Sequence, residues 1–154
     1  MRNTYYIIVV EEDEGVFGKI VRALEKLGGR IVVRRVSNQE ELDAELFRVA
    51  PDFVICDHSR SPWNSFAVLE QVRAFQESMP FAVIGEHDAE ATTLLANGAD
   101  VCVDHNRLGE LAPSLQEMLR RCSQRQMQCV EEIRKTLPRS APPFASTTER
   151  FHRG

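Results

Sequence analysis

The chain has 154 residues, 43% of them hydrophobic, enough for one domain with a sizeable core and room for a tail. Its 19 Lys and Arg against 23 Asp and Glu leave a net charge of −4, and no basic patch is visible, which argues against nucleic acid as the main partner. No apolar run approaches the roughly 18 residues of a membrane span, and MRNTYY followed by four apolar residues and then acids is not a secretory signal.

In chain order, strand-like runs alternate with stretches of helical period. YYIIVV (5–10) leads into a run of acids, Glu11, Glu12, Asp13 and Glu14. Residues 16–27 then place Val16, Ile20, Leu24 and Leu27 on one helical face. RIVVRRV (30–36) is the second strand-like run. Residues 38–50 follow with Leu42, Leu46 and Val49 together, and Ser37 or Asn38 as N-cap. DFVIC (52–56) precedes a third helical pattern through Phe66, Leu69 and Val72 to Ala74. FAVIG (81–85) precedes a fourth, Ala89 to Ala96, and DVCVD (100–104) is the last strand-like run. The first, third and fourth runs are continuously apolar, as strands buried on both faces are.

Five such units in about 120 residues imply an α/β fold, a doubly wound parallel sheet with helices on both faces and right-handed crossovers. Ligands of such sheets bind beyond the carboxyl ends of the strands, where strand order reverses. The residues at those ends are Glu11-Glu12-Asp13, Asp57-His58, Gly85-Glu86 and Asp104-His105.

An extended C-terminal helix is predicted from around Gly109 to Pro113 to about Leu137. Its apolar stripe, Leu111, Leu115, Met118, Cys122, Cys129, Ile133 and Leu137, is interrupted by Arg125 and Gln126. Core packing of the first turns with a solvated extension explains the stripe; so does a helix that pairs with a partner, including a homodimer through this fifth helix. Residues 1–121 form the expected domain, 122–137 a helical extension, and the Pro-, Ser- and Thr-rich 138–154 a disordered tail or linker. Cys56, Cys102, Cys122 and Cys129 form no CxxC pair, so a zinc or redox motif is not indicated; the reading is reduced thiols in a cytoplasmic protein.

The acids after the first strand have two readings. One is a solvated turn, with Asp57 capping a loop. The other is convergence of carboxylates on a hard cation such as Mg²⁺, which takes one or two carboxylates plus water and phosphoryl oxygens. An Asp ending a buried apolar strand is otherwise a costly placement.

At this point the sequence resembles the receiver domain of two-component response regulators, the CheY-like fold, over roughly residues 5–121. VVEEDEGVFGKIVRALEKLG is similar to the family's first strand, acidic pocket and first helix. APDFVICD is similar to the segment that ends in the phosphoacceptor aspartate, and SFAVL stands where the usual Gly and its helix stand. PFAVIG and NGADVCVDHN are similar to the fourth strand and to the "GAD" turn with the fifth strand. The resemblance implies the flavodoxin-like sheet order 2-1-3-4-5. It also implies a phosphoryl group accepted on Asp57 from a histidine kinase or phosphotransfer protein. It further implies Mg²⁺ held by Glu12, Asp57 and the main-chain carbonyl of Ser59, with Glu11 supporting through water.

Several family positions differ. His105 stands where the phosphate-pairing Lys is usual, and Asn106 where a Pro follows it. Gly85 replaces the phosphate-sensing Thr or Ser, Cys102 the switch aromatic, and Glu12 the metal-binding Asp. An imidazole is shorter than Lys and, at its ordinary pKa, mostly neutral at pH 7. Gly85 has no hydroxyl to draw inward, and Cys102 is too small to swing as a ring does. The alternative to a modified phosphoacceptor is therefore a pseudo-receiver, an interaction module without the chemistry. A flavodoxin-like cofactor or nucleotide enzyme would need a Gly/Ser/Thr-rich cradle where EEDEG puts acids. Further candidates are His58 as a tuner of the pocket or a plain loop residue, and Asp104-His105 as a bonded pair or a solvent-facing turn. Trp63 reads as an interface anchor or as packing, and Cys56 as core.

Overall fold

The computed structural model describes residues 3–58, 64–86 and 88–137. Five parallel strands form one sheet: β1 (Thr4–Val10), β2 (Arg30–Val36), β3 (Phe53–Asp57), β4 (Phe81–Ile84) and β5 (Val101–Val103). Their order is β2-β1-β3-β4-β5, the doubly wound order expected. Between them run α1 (Glu14–Leu24), α2 (Gln39–Val49), α3 (Ser65–Phe75) and α4 (Ala89–Ala96), and α5 (Leu111–Thr136) closes the described chain.

Alternation along the strands builds two cores. Ile7, Val9, Phe53, Ile55, Ala82, Ile84 and Val103 face one way and pack with Ile20 and Leu24 of α1 and Leu111, Leu115 and Met118 of α5. Ile8, Val10, Val54, Cys56, Phe81 and Val83 face the other and pack with Leu42, Leu46, Val68, Leu69, Val72 and Leu94. Two-sided burial explains the continuous apolar runs of β1, β3 and β4, each large side chain contributing about 1.5–3 kcal/mol.

Capping residues set where the helices start. Asp13 accepts from the N–H groups of Gly15 and Val16, so α1 begins two residues before the expected Val16. Asn38 accepts from Glu41 N–H while the Glu41 carboxylate accepts from Ser37 N–H, a reciprocal cap on α2. β3 extends one residue further than its apolar run, to Asp57, whose register partner is Ile84.

The chain divides into two compact units, Met1–Cys122 and Ser123–Gly154. In the first unit Leu111, Ala112, Leu115, Met118 and Cys122 of α5 are buried. The described part of the second unit is helical through Thr136 and exposes Met127, Val130, Ile133 and Leu137. No described helix is long and apolar enough to cross a membrane.

Candidate acidic pocket at the strand ends

The four acids after β1 have four different environments. Glu11 is 1% exposed; its Oε1 accepts from Asp13 N–H at 2.9 Å, and its Oε2 meets no donor. Glu12 is exposed, and its main-chain oxygen accepts from Arg35 Nη1 at 2.9 Å. Asp13 caps α1, and Glu14, in the first helical turn, pairs with Arg35 at 3.4 Å. A repulsive run is thus spread over a pocket floor, a surface turn and a helix start, where acids complement the helix dipole.

β1 and β3 are neighbours, so their ends bring Glu11 to Asp57, which is completely buried. Two carboxyls sharing a hydrogen bond require a proton between them. Accordingly, burial first, then the hydrogen bond and charge of Asp57, push Glu11 up to about 8, against a smaller downward pull from Asp13 N–H. The third member is His105, in the 3₁₀ segment His105–Glu110 after β5. Its Nε2 lies 2.8 Å from Asp57 Oδ1, so Nε2–H donates to the carboxylate. Asp104 does not pair with this ring; its Oδ1 accepts from Asn106 N–H at 2.8 Å and caps the segment.

Gly85 follows β4, and a Cβ built there would come within 3.2 Å of His58 Cβ. The His58 ring bridges two helix starts, with Nδ1 3.0 Å from Ser65 Oγ and Nε2 2.8 Å from Glu90 Oε2. Ser65 is buried, and its hydroxyl also receives the Cys56 thiol at 3.6 Å. Burial in β3 pushes that thiol up to about 12, so it stays protonated and serves as a donor. Cys102 is half-buried with Sγ 4.0 Å from Gly85 O, and burial, then the charges of Asp88 and Asp104, hold its thiol high. None of the four cysteines is in a disulfide.

The structure therefore gathers Glu11, Asp57 and His105, whereas Gly85 meets His58. Ser59 and Trp63 lie outside the described residues. Sequence reasoning weighed His58 mainly as a loop residue and missed Glu90 altogether. Partners 32 residues apart share no local pattern, and a Gly facing a His is the only trace they leave.

No set of three or more His, Cys, Asp and Glu side chains among the described residues is placed to hold a metal. Two oxygen donors nonetheless suit a hard cation. Glu11 carries a buried oxygen without a hydrogen-bond partner, and burial first, then Asp57, raise its pKa.

Known structures share this architecture. A CheY-like response-regulator receiver domain protein from Methanospirillum hungatei aligns with a TM-score of 0.66 at 18% identity, covering 79% of this chain and 98% of that one. A response-regulator receiver domain protein from Clostridium thermocellum gives 0.61 at 17%, covering 76% and 95%. NtrX from Brucella abortus gives 0.68 at 19%, covering 97% of this chain and 34% of that one. The fold is that of a response-regulator receiver domain. A protein-glutamate methylesterase/protein-glutamine glutaminase from Anaeromyxobacter dehalogenans is 27% identical over 124 residues, which span 79% of this chain and 35% of that protein. The chain thus spans about a third of that curated relative. No family model matches.

Proposed function

We propose that this chain is a two-component receiver that accepts a phosphoryl group on Asp57 from a phosphohistidine of a histidine kinase or phosphotransfer protein. The observation that carries the reading is the juxtaposition of buried Asp57 with Glu11 and His105 at the strand ends of a receiver fold.

An Asp57 oxygen attacks the phosphorus as the P–N bond to the donor imidazole breaks, giving an aspartyl phosphate. The departing nitrogen keeps the bonding electrons and takes a proton. Burial strips Asp57 of competing water, and His105 Nε2–H, 2.8 Å away, orients it and offers a donor to the incoming oxygens. Glu11 must give up its proton to hold a cation. With Asp57, Glu12 and the Ser59 carbonyl it would hold Mg²⁺, which supplies charge neutralisation to the transferring group. The reading is of a signalling domain in the cytoplasm, with no catalytic turnover beyond slow gain and loss of its own phosphoryl group.

Intact-mass measurement after incubation with acetyl phosphate and Mg²⁺ tests this. A phosphoryl adduct on the wild type that is lost in EDTA and in Asp57→Asn is expected. A folded wild type without an adduct contradicts it and turns attention to a phosphorylation-independent interaction module.

A further inference from the structure

The side chain that Gly85 meets belongs to the residue after Asp57 in the chain. Gly85 is not one of the left-handed glycines, which among the described residues are Gly28, Gly29 and Gly98. Its backbone therefore does not require glycine. What stands against a side chain there is His58, whose Cβ would lie 3.2 Å from a Cβ at position 85.

The hydrogen bonds of His58 also run in one direction. Glu90 is a carboxylate acceptor, so Nε2 carries the ring proton toward it at 2.8 Å. In the neutral ring Nδ1 is then an acceptor, and it takes the Ser65 hydroxyl proton at 3.0 Å. Ser65 Oγ in turn accepts from Cys56 S–H. The chain runs from the β3 core, through the start of α3, to the first turn of α4. The His58 main chain is fixed as well, its N–H donating to Ile84 O at 2.8 Å.

We propose that His58 is a positioning residue for Asp57: its Cβ stands 3.2 Å from where a side chain at position 85 would begin, and its two nitrogens tie the end of β3 to the first turns of α3 and α4. The inference rests on Asp57 being the phosphoacceptor. Because Asp57 and His58 share a peptide unit, displacing the ring turns the carboxylate away from its setting between Glu11 and His105. Position 85 and position 58 then act as one unit, and a change at either is felt at Asp57 and at α4 together.

The test uses the full chain as wild type, Gly85→Ala, His58→Ala and the double variant. Amide exchange at residues 89–92 is followed without phosphodonor, and the rate of Asp57 phosphorylation separately. Both single variants are expected to speed exchange about three- to tenfold, as loss of one or two hydrogen bonds does. The same variants slow phosphoryl uptake by a similar factor, and the double variant is no worse than His58→Ala. His58→Gln, which returns an N–H near the Nε2 position, recovers both readouts in part, as a purely space-filling role would not. Additive single effects, a silent Gly85→Ala, or no recovery by Gln overturns the proposal. If His58→Ala does not fold, Ser65→Ala cuts the same tie from the other end and is held to the same outcomes. A wild type that takes up no phosphoryl group removes the phosphoacceptor reading, while the exchange arm still decides whether His58 ties β3 to α4.

Discussion

The two sides of the pocket are built differently. At the ends of β1 and β3, Glu11 and Asp57 are buried acids held by the sheet itself, one residue beyond apolar runs that have nowhere else to go. At the ends of β4 and β5 stand Gly85 and His105, with Cys102 within β5, at positions where the resemblance implies a Thr or Ser, a Lys and an aromatic. Beside Gly85 stands His58, whose ring bonds Ser65 and Glu90. The acid side holds two buried carboxyls; the other side carries the imidazoles of His58 and His105. On the proposed receiver function, acceptance of charge and response to it would be carried by different strands of one fold.

The largest expected effect breaks the acid side alone. Asp57→Asn removes the attacking oxygen and keeps the shape, so phosphoryl uptake falls below detection while thermal unfolding stays cooperative; a retained adduct would place the acceptor elsewhere.

Glu11 gives the next largest effect, seen in metal-free buffer as a pH dependence of stability. Its folded value of about 8 lies above the ordinary 4.5, so the folded protein keeps a proton that the unfolded chain has released. The stabilisation is complete below the ordinary value and is lost as pH rises through the folded one. Denaturant titrations from pH 5 to 9 should show wild-type stability falling by roughly 4 kcal/mol relative to Glu11→Gln. Mg²⁺ should lessen the fall, because a cation replaces the proton. Parallel curves for the two proteins would mean that Glu11 does not share a proton with Asp57.

On the donor side, His105→Ala should slow uptake about tenfold, the worth of one charge-assisted hydrogen bond, and His105→Lys should restore it. Equal rates in all three would detach His105 from the chemistry. Cys102 sharpens the contrast from below: at 4.0 Å its contact with Gly85 O is too long to matter, so Cys102→Ser should change uptake less than about twofold.

The fold was legible in the sequence because each buried strand is a short apolar run ended by a polar residue, and each helix announces its stripe. The strand order followed from the resemblance, as did the proposal of Asp57 as acceptor, at APDFVICD above all. Less legible was the division of labour in EEDEG. Whether Glu11 or Glu12 turns inward depends on the pleat, and the structure turns Glu11 inward, with Glu12 exposed at the surface. His58 was the least legible. Its contacts with Ser65, Gly85 and Glu90 join three segments that only the folded sheet brings together. Glu11 and Asp57 each end an apolar run that the sequence shows, whereas the contacts of His58 leave no such local mark, which is why the first could be read and the second could not.

Three nucleophiles stand near one another here, Asp57, His58 and His105, so the identity of the phosphorylated atom is the most direct test of the account. The measurement is peptide mapping of the phosphorylated chain by mass spectrometry, with and without neutral hydroxylamine, which cleaves acyl phosphates. The account predicts a hydroxylamine-labile adduct assigned to Asp57. A hydroxylamine-stable adduct on His58 or His105 would contradict it.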